Sequence, residues 1–294
     1  MEFSNNRYAF VKRVAVSYAL AVSTTFAMAP INYAFPMGGE KSWKVTGNPI
    51  RCGLSLTIPN YGIGYFEQFA AQPPHFVLRK WDAVTRPLPA RLIARAPMWK
   101  PDGVTYRVGS LTVNPGAYGI FLKRDSTLKL LTYLSQGYEP TFKYRSDIGF
   151  DVSVALTPRG FQAPYSHYQR CISNLLPFGF DRVKESVFHF APDSRELSDQ
   201  DKEQLRRIAR YTAADHQIKV IRIIGYADES GRKGYNNAIS QYRAQAVQNY
   251  LITLGVPEEQ LSVTWLGALK PVARNDTDAG RAENRRVVVT LIKK

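Results

Sequence analysis

Chemistry-bearing side chains are few in this chain. Among 294 residues there are two cysteines and four histidines. No Cys-x-x-Cys occurs, and His75, His167, His189 and His216 are scattered without metal-ligand spacing, which argues against a zinc or thiol-redox centre. Neither Gly-x-Ser-x-Gly nor a phosphate-binding glycine loop is present, so the chain has no nucleophile elbow and no nucleotide cradle. These gaps point to a binding protein without cofactor, metal or catalytic residues rather than to an enzyme. Negative charge is also short: 24 acidic residues face 39 basic ones, a net of +15. The apolar run at residues 14–29 stays below the ~18 residues that argue for a membrane-spanning helix.

What that run does carry is an export pattern. Arg7, Lys12 and Arg13 precede it, and it closes on Ala27-Met28-Ala29, a small-x-small end. Residues 1–29 therefore read as a cleaved secretory leader. A retained anchor is the lesser reading, because Ser and Thr dilute the run and no flanking charge follows it. No cysteine closes the run either, which argues against a lipoprotein. In an oxidising compartment Cys52 and Cys171 most simply bridge to each other; two separate buried thiols are the alternative. The basic surplus is uneven. Residues 30–180 hold 17 basic and 8 acidic residues, a net of +9, whereas residues 181–294 hold 19 and 15, a net of +4. Export argues against nucleic acid as the partner. Anionic wall polymer, lipid head groups or an acidic protein are the candidates, set against a merely solvated surface.

The length allows two modest domains. Between residues 30 and 160, short runs rich in β-branched and aromatic residues lie at 76–81, 91–95, 106–113, 119–122, 128–134 and 150–156, parted by Pro and Gly. They read as strands of a sandwich or small barrel-like domain. Prolines interrupt them too often for a membrane barrel. Residues 163–176 read as a helix that carries Cys171 back toward the strands, and a joint falls at residues 177–182. Beyond it the pattern becomes βαβαβαβ, a four-stranded mixed sheet with helices on one face. Ser198 is placed as the N-cap of the first of these helices. Leu205, Ile208, Ala209, Tyr211 and Thr212 form its buried stripe, and Ile239, Tyr242, Ala246 and Tyr250 that of the next. The fold class is thus α+β, with a β-rich domain at residues 30–180 and a second domain at residues 181–294.

Three signatures stand in order in the second half. Gly225-Tyr226-Ala227-Asp228 closes the apolar strand at 218–225. Tyr235-Asn236-Asn237-Ala238-Ile239-Ser240-Gln241-Tyr242-Arg243-Ala244 opens a helix. Gly280-Arg281-Ala282-Glu283-Asn284-Arg285-Arg286-Val287 enters the last strand. A strand-end Asp is followed fifteen residues later by an Arg on the first turns of a helix, which lets a loop set a carboxylate opposite a guanidinium. Such a pair suits a ligand bearing both an ammonium and a carboxylate. In these signatures residues 188–292 resemble the OmpA-like peptidoglycan-binding domains. The resemblance implies that Asp228 and Arg243 hold the ammonium and the carboxylate of diaminopimelate in the wall peptide. It also implies that Asn236 and Arg285 line the same cleft, with Asp193 a polar residue at its edge. Two departures stand out. Ala227 occupies the position where the family usually has Thr, and Gly267-Ala268-Leu269-Lys270-Pro271 lacks the family's acidic residue. Neither Asp228 nor Arg243 belongs to an apolar stripe, so both are expected to be dispensable for folding.

The first half narrows the reading. Trp43-Lys44-Val45-Thr46-Gly47-Asn48-Pro49 leads into Cys52-Gly53-Leu54-Ser55-Leu56-Thr57-Ile58-Pro59-Asn60-Tyr61-Gly62. Pro97-Met98-Trp99-Lys100-Pro101, Gly137-Tyr138-Glu139-Pro140-Thr141-Phe142 and Cys171-Ile172-Ser173-Asn174-Leu175-Leu176-Pro177 follow. In that order they resemble the MotY family of flagellar motor proteins, with both cysteines at family positions. The resemblance implies a periplasmic component of the T ring, associated with the flagellar basal body. Its first domain would dock on the basal body and the partner MotX, its second would grip peptidoglycan, and the pair would indirectly hold stator units. Stable membrane insertion is not expected. A stator B-subunit is disfavoured, since residues 14–29 carry no acidic ion-carrying residue. The rival reading is a general OmpA-like envelope protein tethering another complex to the wall, and a weaker one is a wall-modifying enzyme targeted by this domain.

Overall fold

Strict alternation organises most of the first half. In the computed structural model, residues 29–34, 43–97, 100 and 103–294 are described, so the leader read at residues 1–29 lies outside them except for Ala29. In chain order the elements are β1 (Ile31–Tyr33), β2 (Trp43–Asn48), β3 (Arg51–Ile58), β4 (Gly62–Phe69), β5 (His75–Lys80), β6 (Leu88–Arg95), β7 (Thr105–Val113) and β8 (Ile120–Leu122). Then follow α1 (Arg124–Ser135), β9 (Glu139–Arg145), β10 (Asp151–Ala155) and α2 (Gln162–Ser173). On β3, Cys52, Leu54, Leu56 and Ile58 point one way, and on β6 Leu88, Ala90, Leu92 and Ala94 do the same, the two-residue period of a pleated strand. Two five-stranded sheets result, ordered β1-β10-β9-β6-β7 and β2-β3-β4-β5-β8. Their inner faces share one core, in which Phe76 of one sheet stacks on Phe142 of the other at 5.7 Å between ring centroids. This is a sandwich.

Residues 128–134 are not the strand that the sequence pattern suggests; they lie inside α1. The buried residues Thr127, Leu130, Leu131 and Leu134 repeat at three- and four-residue intervals, and Leu and Lys favour helix once one face is covered. The helix α2 does carry Cys171 back to β3, where it is joined to Cys52 across a sequence separation of 119 residues. Gly47, paired with Cys52 on β2, lies so close to the Cys171 sulfur that no side chain fits there.

The second half runs β11 (Glu185–His189), α3 (Asp199–Ala214), β12 (Ile218–Gly225), α4 (Lys233–Thr253), β13 (Leu261–Trp265), α5 (Asp278–Asn284) and β14 (Arg286–Lys293). The sheet order is β11-β14-β12-β13, antiparallel except for the β12–β13 pair. Ser198 caps α3 through a reciprocal pair of bonds with Asp201. Leu205, Ile208 and Ala209 of α3 and Ala244, Val247 and Leu251 of α4 cover the sheet face that bears Phe188, Ile221, Ile223, Val289 and Leu291. The buried stripe of α4 is rotated from the expected one. It runs through Asn236, Ile239, Ser240, Arg243, Ala244, Val247 and Leu251, while Tyr242 is 47% exposed. The cause is a close approach: β12 ends on Gly225, whose missing side chain leaves room only for the Ser240 carbonyl. Small and polar residues therefore face the sheet, and the bulkier tyrosine turns outward. No helix among the described residues is long and apolar enough to cross a membrane.

The halves touch. Leu176 and Phe178, just ahead of the boundary read at residue 180, pack in the second core together with Ala70 and Ile50 from the β-sandwich. The Leu176 N–H donates to the Pro49 carbonyl at 2.8 Å, and the Asn48 amide donates to the Ala214 carbonyl at 3.3 Å.

Candidate functional site

Asp228 stands three residues past the end of β12, where the chain has left the sheet. The N–H of Tyr226 donates to the Arg286 carbonyl at 2.8 Å and that of Ala227 to the Gly267 carbonyl at 2.7 Å, which anchors the approach to Asp228 on both sides. The Asp228 side chain folds into a local turn: Oδ1 accepts from the Ser230 N–H at 3.1 Å and from the Ser230 hydroxyl. Oδ2 accepts from Nη1 of Arg285 at 2.9 Å, and both partners of this ion pair are nearly buried. Arg285 is fixed in turn by Nε donating to the Phe190 carbonyl at 3.0 Å.

Arg243 departs from expectation. Read as lying outside the buried stripes, it is only 1% exposed and is among the largest fully buried side chains. Three of its donors end on backbone: Nε on the Ser194 carbonyl at 2.9 Å, Nη2 on Ala191 at 3.1 Å, Nη1 on Tyr226 at 3.5 Å. Its plane lies over Phe190, 5.5 Å from the ring centroid. A guanidinium has five N–H donors, so two are without an acceptor among the described residues. Burial pulls the Arg243 pKa down and neighbouring Arg285 adds to that, while Asp228, Tyr235 and Asp193 oppose it. Burial pushes the Asp228 carboxyl up, but the bonds from Ser230 and Arg285 outweigh it and hold the group below the usual carboxylate range.

The structure brings Asp228, Arg285, Arg243 and Asp193 into one cluster, in which Arg285, Asp228 and Asp193 all act on the Arg243 charge. Asp193 adopts the left-handed backbone, with φ +51, and accepts from the Tyr235 hydroxyl at 2.7 Å. Asn236 is buried beside them, but its amide is turned to the loop and donates to the Gly231 carbonyl at 2.9 Å. Ser230 and Tyr235 are contributors that sequence reasoning missed. For Ser230 a signal existed, since Asp-x-Ser favours an Asx-type turn.

Beside this cluster, the wall formed by residues 266–276 is held by three buried side chains. Ser240 accepts from the Gly267 N–H at 3.1 Å, and Gly267 holds the left-handed backbone, φ +54, that favours glycine, against the Asn237 side-chain oxygen. Asn284, fully buried, accepts from the N–H groups of Val272 and Ala273 and donates to the Ala273 carbonyl and to Asn275. Arg286 donates to the Lys270 carbonyl at 3.1 Å and lies 3.9 Å over the Tyr226 ring. Two cations, Arg243 and Arg285, face two carboxylates, Asp228 and Asp193. The cleft is neutral as a whole but polarised within, which suits a zwitterionic group. Among the described residues no group of three or more His, Cys, Asp or Glu could hold a metal ion.

A family model described as the MotY N-terminal domain matches residues 33–177, and one described as the OmpA family matches residues 189–285. The chain is 28% identical over 257 residues to the sodium-type flagellar protein MotY of Vibrio parahaemolyticus, which covers 86% of this chain and 87% of that one. It is 38% identical over 140 residues to the outer-membrane lipoprotein YfiB of Pseudomonas aeruginosa, 47% of this chain and 74% of that one. Over 116 residues it is 37% identical to the peptidoglycan-binding protein ArfA of Mycobacterium tuberculosis, 40% of this chain and 35% of that one.

Proposed function

We propose, for a chain that belongs to the OmpA family in its second half and carries a MotY N-terminal domain in its first, the role of a flagellar-motor protein that binds peptidoglycan. The observation that carries this reading is a polarised cluster: a Ser230-held Asp228 carboxylate and a buried Arg243 guanidinium lie within electrostatic reach of each other. An ammonium next to Asp228 and a carboxylate next to the two free donors of Arg243 is the ligand this geometry fits, as in the free end of diaminopimelate. The same reading makes the protein periplasmic and part of the T ring. Its β-sandwich docks on the basal body and MotX, and the wall-bound half helps hold stator units in place. We read the activity as binding and not catalysis, because the Asp228–Arg243 pair offers charge to a ligand but no poised acid, base or nucleophile.

Co-sedimentation with purified sacculi tests the wall site. Asp228→Asn keeps the shape and the turn but removes the charge that faces the ammonium. It is expected to weaken sedimentation by at least about tenfold, the scale of one well-desolvated charge contact. Equal sedimentation of wild type and Asp228→Asn would sink the site assignment. For the motor role, a deletion strain should lose swimming and recover it with wild type but not with Asp228→Asn. Wall binding without any motility defect would favour the general tethering reading instead.

A further inference from the structure

The outward face of the β2-β3-β4-β5-β8 sheet carries a row of aromatic side chains that no core requires. Phe69 faces Arg51 across the β3–β4 pair, His75 faces Glu67 across β4–β5, and Phe121 faces Val77 across β5–β8. The three rings form a continuous stack, Phe69 on His75 at 6.0 Å and His75 on Phe121 at 5.2 Å, with interplanar angles of 14° and 28°. Phe121 is 54% exposed and Phe69 39%. Glu67 pre-sets this platform, since its buried carboxylate pairs with both Arg51 and His75. Beside the stack opens a groove of about 720 Å³, walled by Pro73 and Pro74 and closed at its far end by Lys123, Arg124 and Asp125. Next along the same face, Arg79 lies 5.8 Å over the exposed ring of Tyr118.

Charge selects the occupant. Arg51 is matched to Glu67, but among the described residues no carboxylate is paired with Arg79, Lys123 or Arg124, and Asp125 is the lone acid at the groove. The first turn of α1 opens here as well, with no side-chain cap on its N–H groups, and adds to the positive potential. A rigid aromatic platform flanked by unpaired cations is the composition of a protein-interaction hot spot rather than of a solvated sheet. We infer that this groove docks a protein segment that sets an apolar side chain between Phe69, Phe121 and the two prolines and acidic side chains against Arg79, Lys123 and Arg124. That segment belongs to the assembly on which the β-sandwich docks, so the inference rests on the flagellar reading for its partner, though not for its chemistry.

The test uses the full exported chain and basal bodies extracted from the flagellated cell as the probe, with sacculus co-sedimentation run in parallel. Phe121→Ser, Phe69→Ser and the double variant Lys123→Glu, Arg124→Glu are expected to lose basal-body retention by tenfold or more. Their circular dichroism and wall binding should be unchanged, since these side chains point away from the core. The double variant Lys123→Arg, Arg124→Lys should retain binding. Variants held as well as wild type overturn the groove alone, whereas a wild-type chain that is not held overturns the flagellar reading and this inference together. Loss with the serines but not with the charge reversal overturns the acidic partner. Binding of anionic phosphatidylglycerol vesicles that disappears in the same variants, or a photocrosslink from position 121 back onto this chain, overturns a protein partner outright.

Discussion

A side chain proposed as a ligand contact that is also scaffold separates poorly into roles, and Arg243 is one. Removing it leaves the carbonyls of Ala191, Ser194 and Tyr226 without their donor in a dry site. Arg243→Ala should therefore cost about 2–4 kcal/mol of stability as well as wall binding, since each orphaned buried group costs about 1–3 kcal/mol and water refills part of the space. Arg243→Lys should fare little better, because one ammonium cannot reach carbonyls spread around a planar fork. Urea titration also reads Asp228→Asn, which should bind poorly and lose at neutral pH the stability that the nearly buried Asp228–Arg285 pair supplies. Asp228 also gives the cleft a pH dependence. Its folded pKa is depressed by Ser230 and Arg285 against the pull of burial, so the stability it contributes is complete above the unfolded value, about 3.9, and is lost as pH falls through the lower folded value. Acid unfolding of the wild type should thus carry a proton-linked component that Asp228→Asn lacks, and a carbon-detected titration of Asp228 showing a midpoint above the ordinary carboxylate value would contradict it.

At the scale of elements, the pattern β-α-β-α-β-α-β and the Ser198 cap were legible because they rest on local signals: apolar period, capping chemistry and glycine punctuation. The buried face of α4 was legible only in part. Hydropathy pointed rightly to Ile239 and to Tyr250, which packs against the second core, but wrongly to Tyr242; the helix turns Ser240, Arg243 and Ala244 inward because β12 meets it at a glycine, a tertiary fact with no local trace. The same failure gave α1 away: residues 128–134 hold enough leucine and threonine to read as a strand until the surrounding sheet supplies a face for a helix. Asp228 and Arg243 were visible through motif spacing, but the wall of residues 266–276 was not, since its support comes from Asn284, Ser240 and Arg286 at long range. Asn284 holds four bonds to that wall with nothing left unsatisfied. Asn284→Ala should cost about 2–4 kcal/mol and speed amide exchange at Val272 and Ala273 more than anywhere in β12. Uniform acceleration across the sheet would mean that Asn284 supports the core and not the wall.

Across the whole molecule, the two halves are coupled by covalent and packing links of different reach. The Cys52–Cys171 bridge closes a long loop within the sandwich, and its removal should cost about 2–5 kcal/mol on the chain-entropy account. Yet α2, which carries Cys171, leads straight into Leu176 and Phe178, and these belong to the other core. Ile50 sits in the β2–β3 turn and Ala70 just past β4, so the sandwich inserts two apolar residues into that core beside those it sends through the chain. We propose that the boundary read at residue 180 divides function more cleanly than stability. A fragment of residues 174–294 keeps Leu176 and Phe178 and loses only Ile50 and Ala70, and it should fold and bind sacculi. A fragment of residues 189–294 also loses Val183 and nearly all of β11, and with β11 the pairing partner of β14, so it should be unfolded. Reduction of the bridge in the intact chain should lower the melting temperature of the sandwich first and shift the wall-binding half only through Ile50 and Ala70. Calorimetry of the reduced chain is therefore expected to show two separated transitions where the oxidised chain shows one or a closely merged pair. A single transition that moves as a unit on reduction would mean that the interface, rather than either core, sets the stability of the molecule.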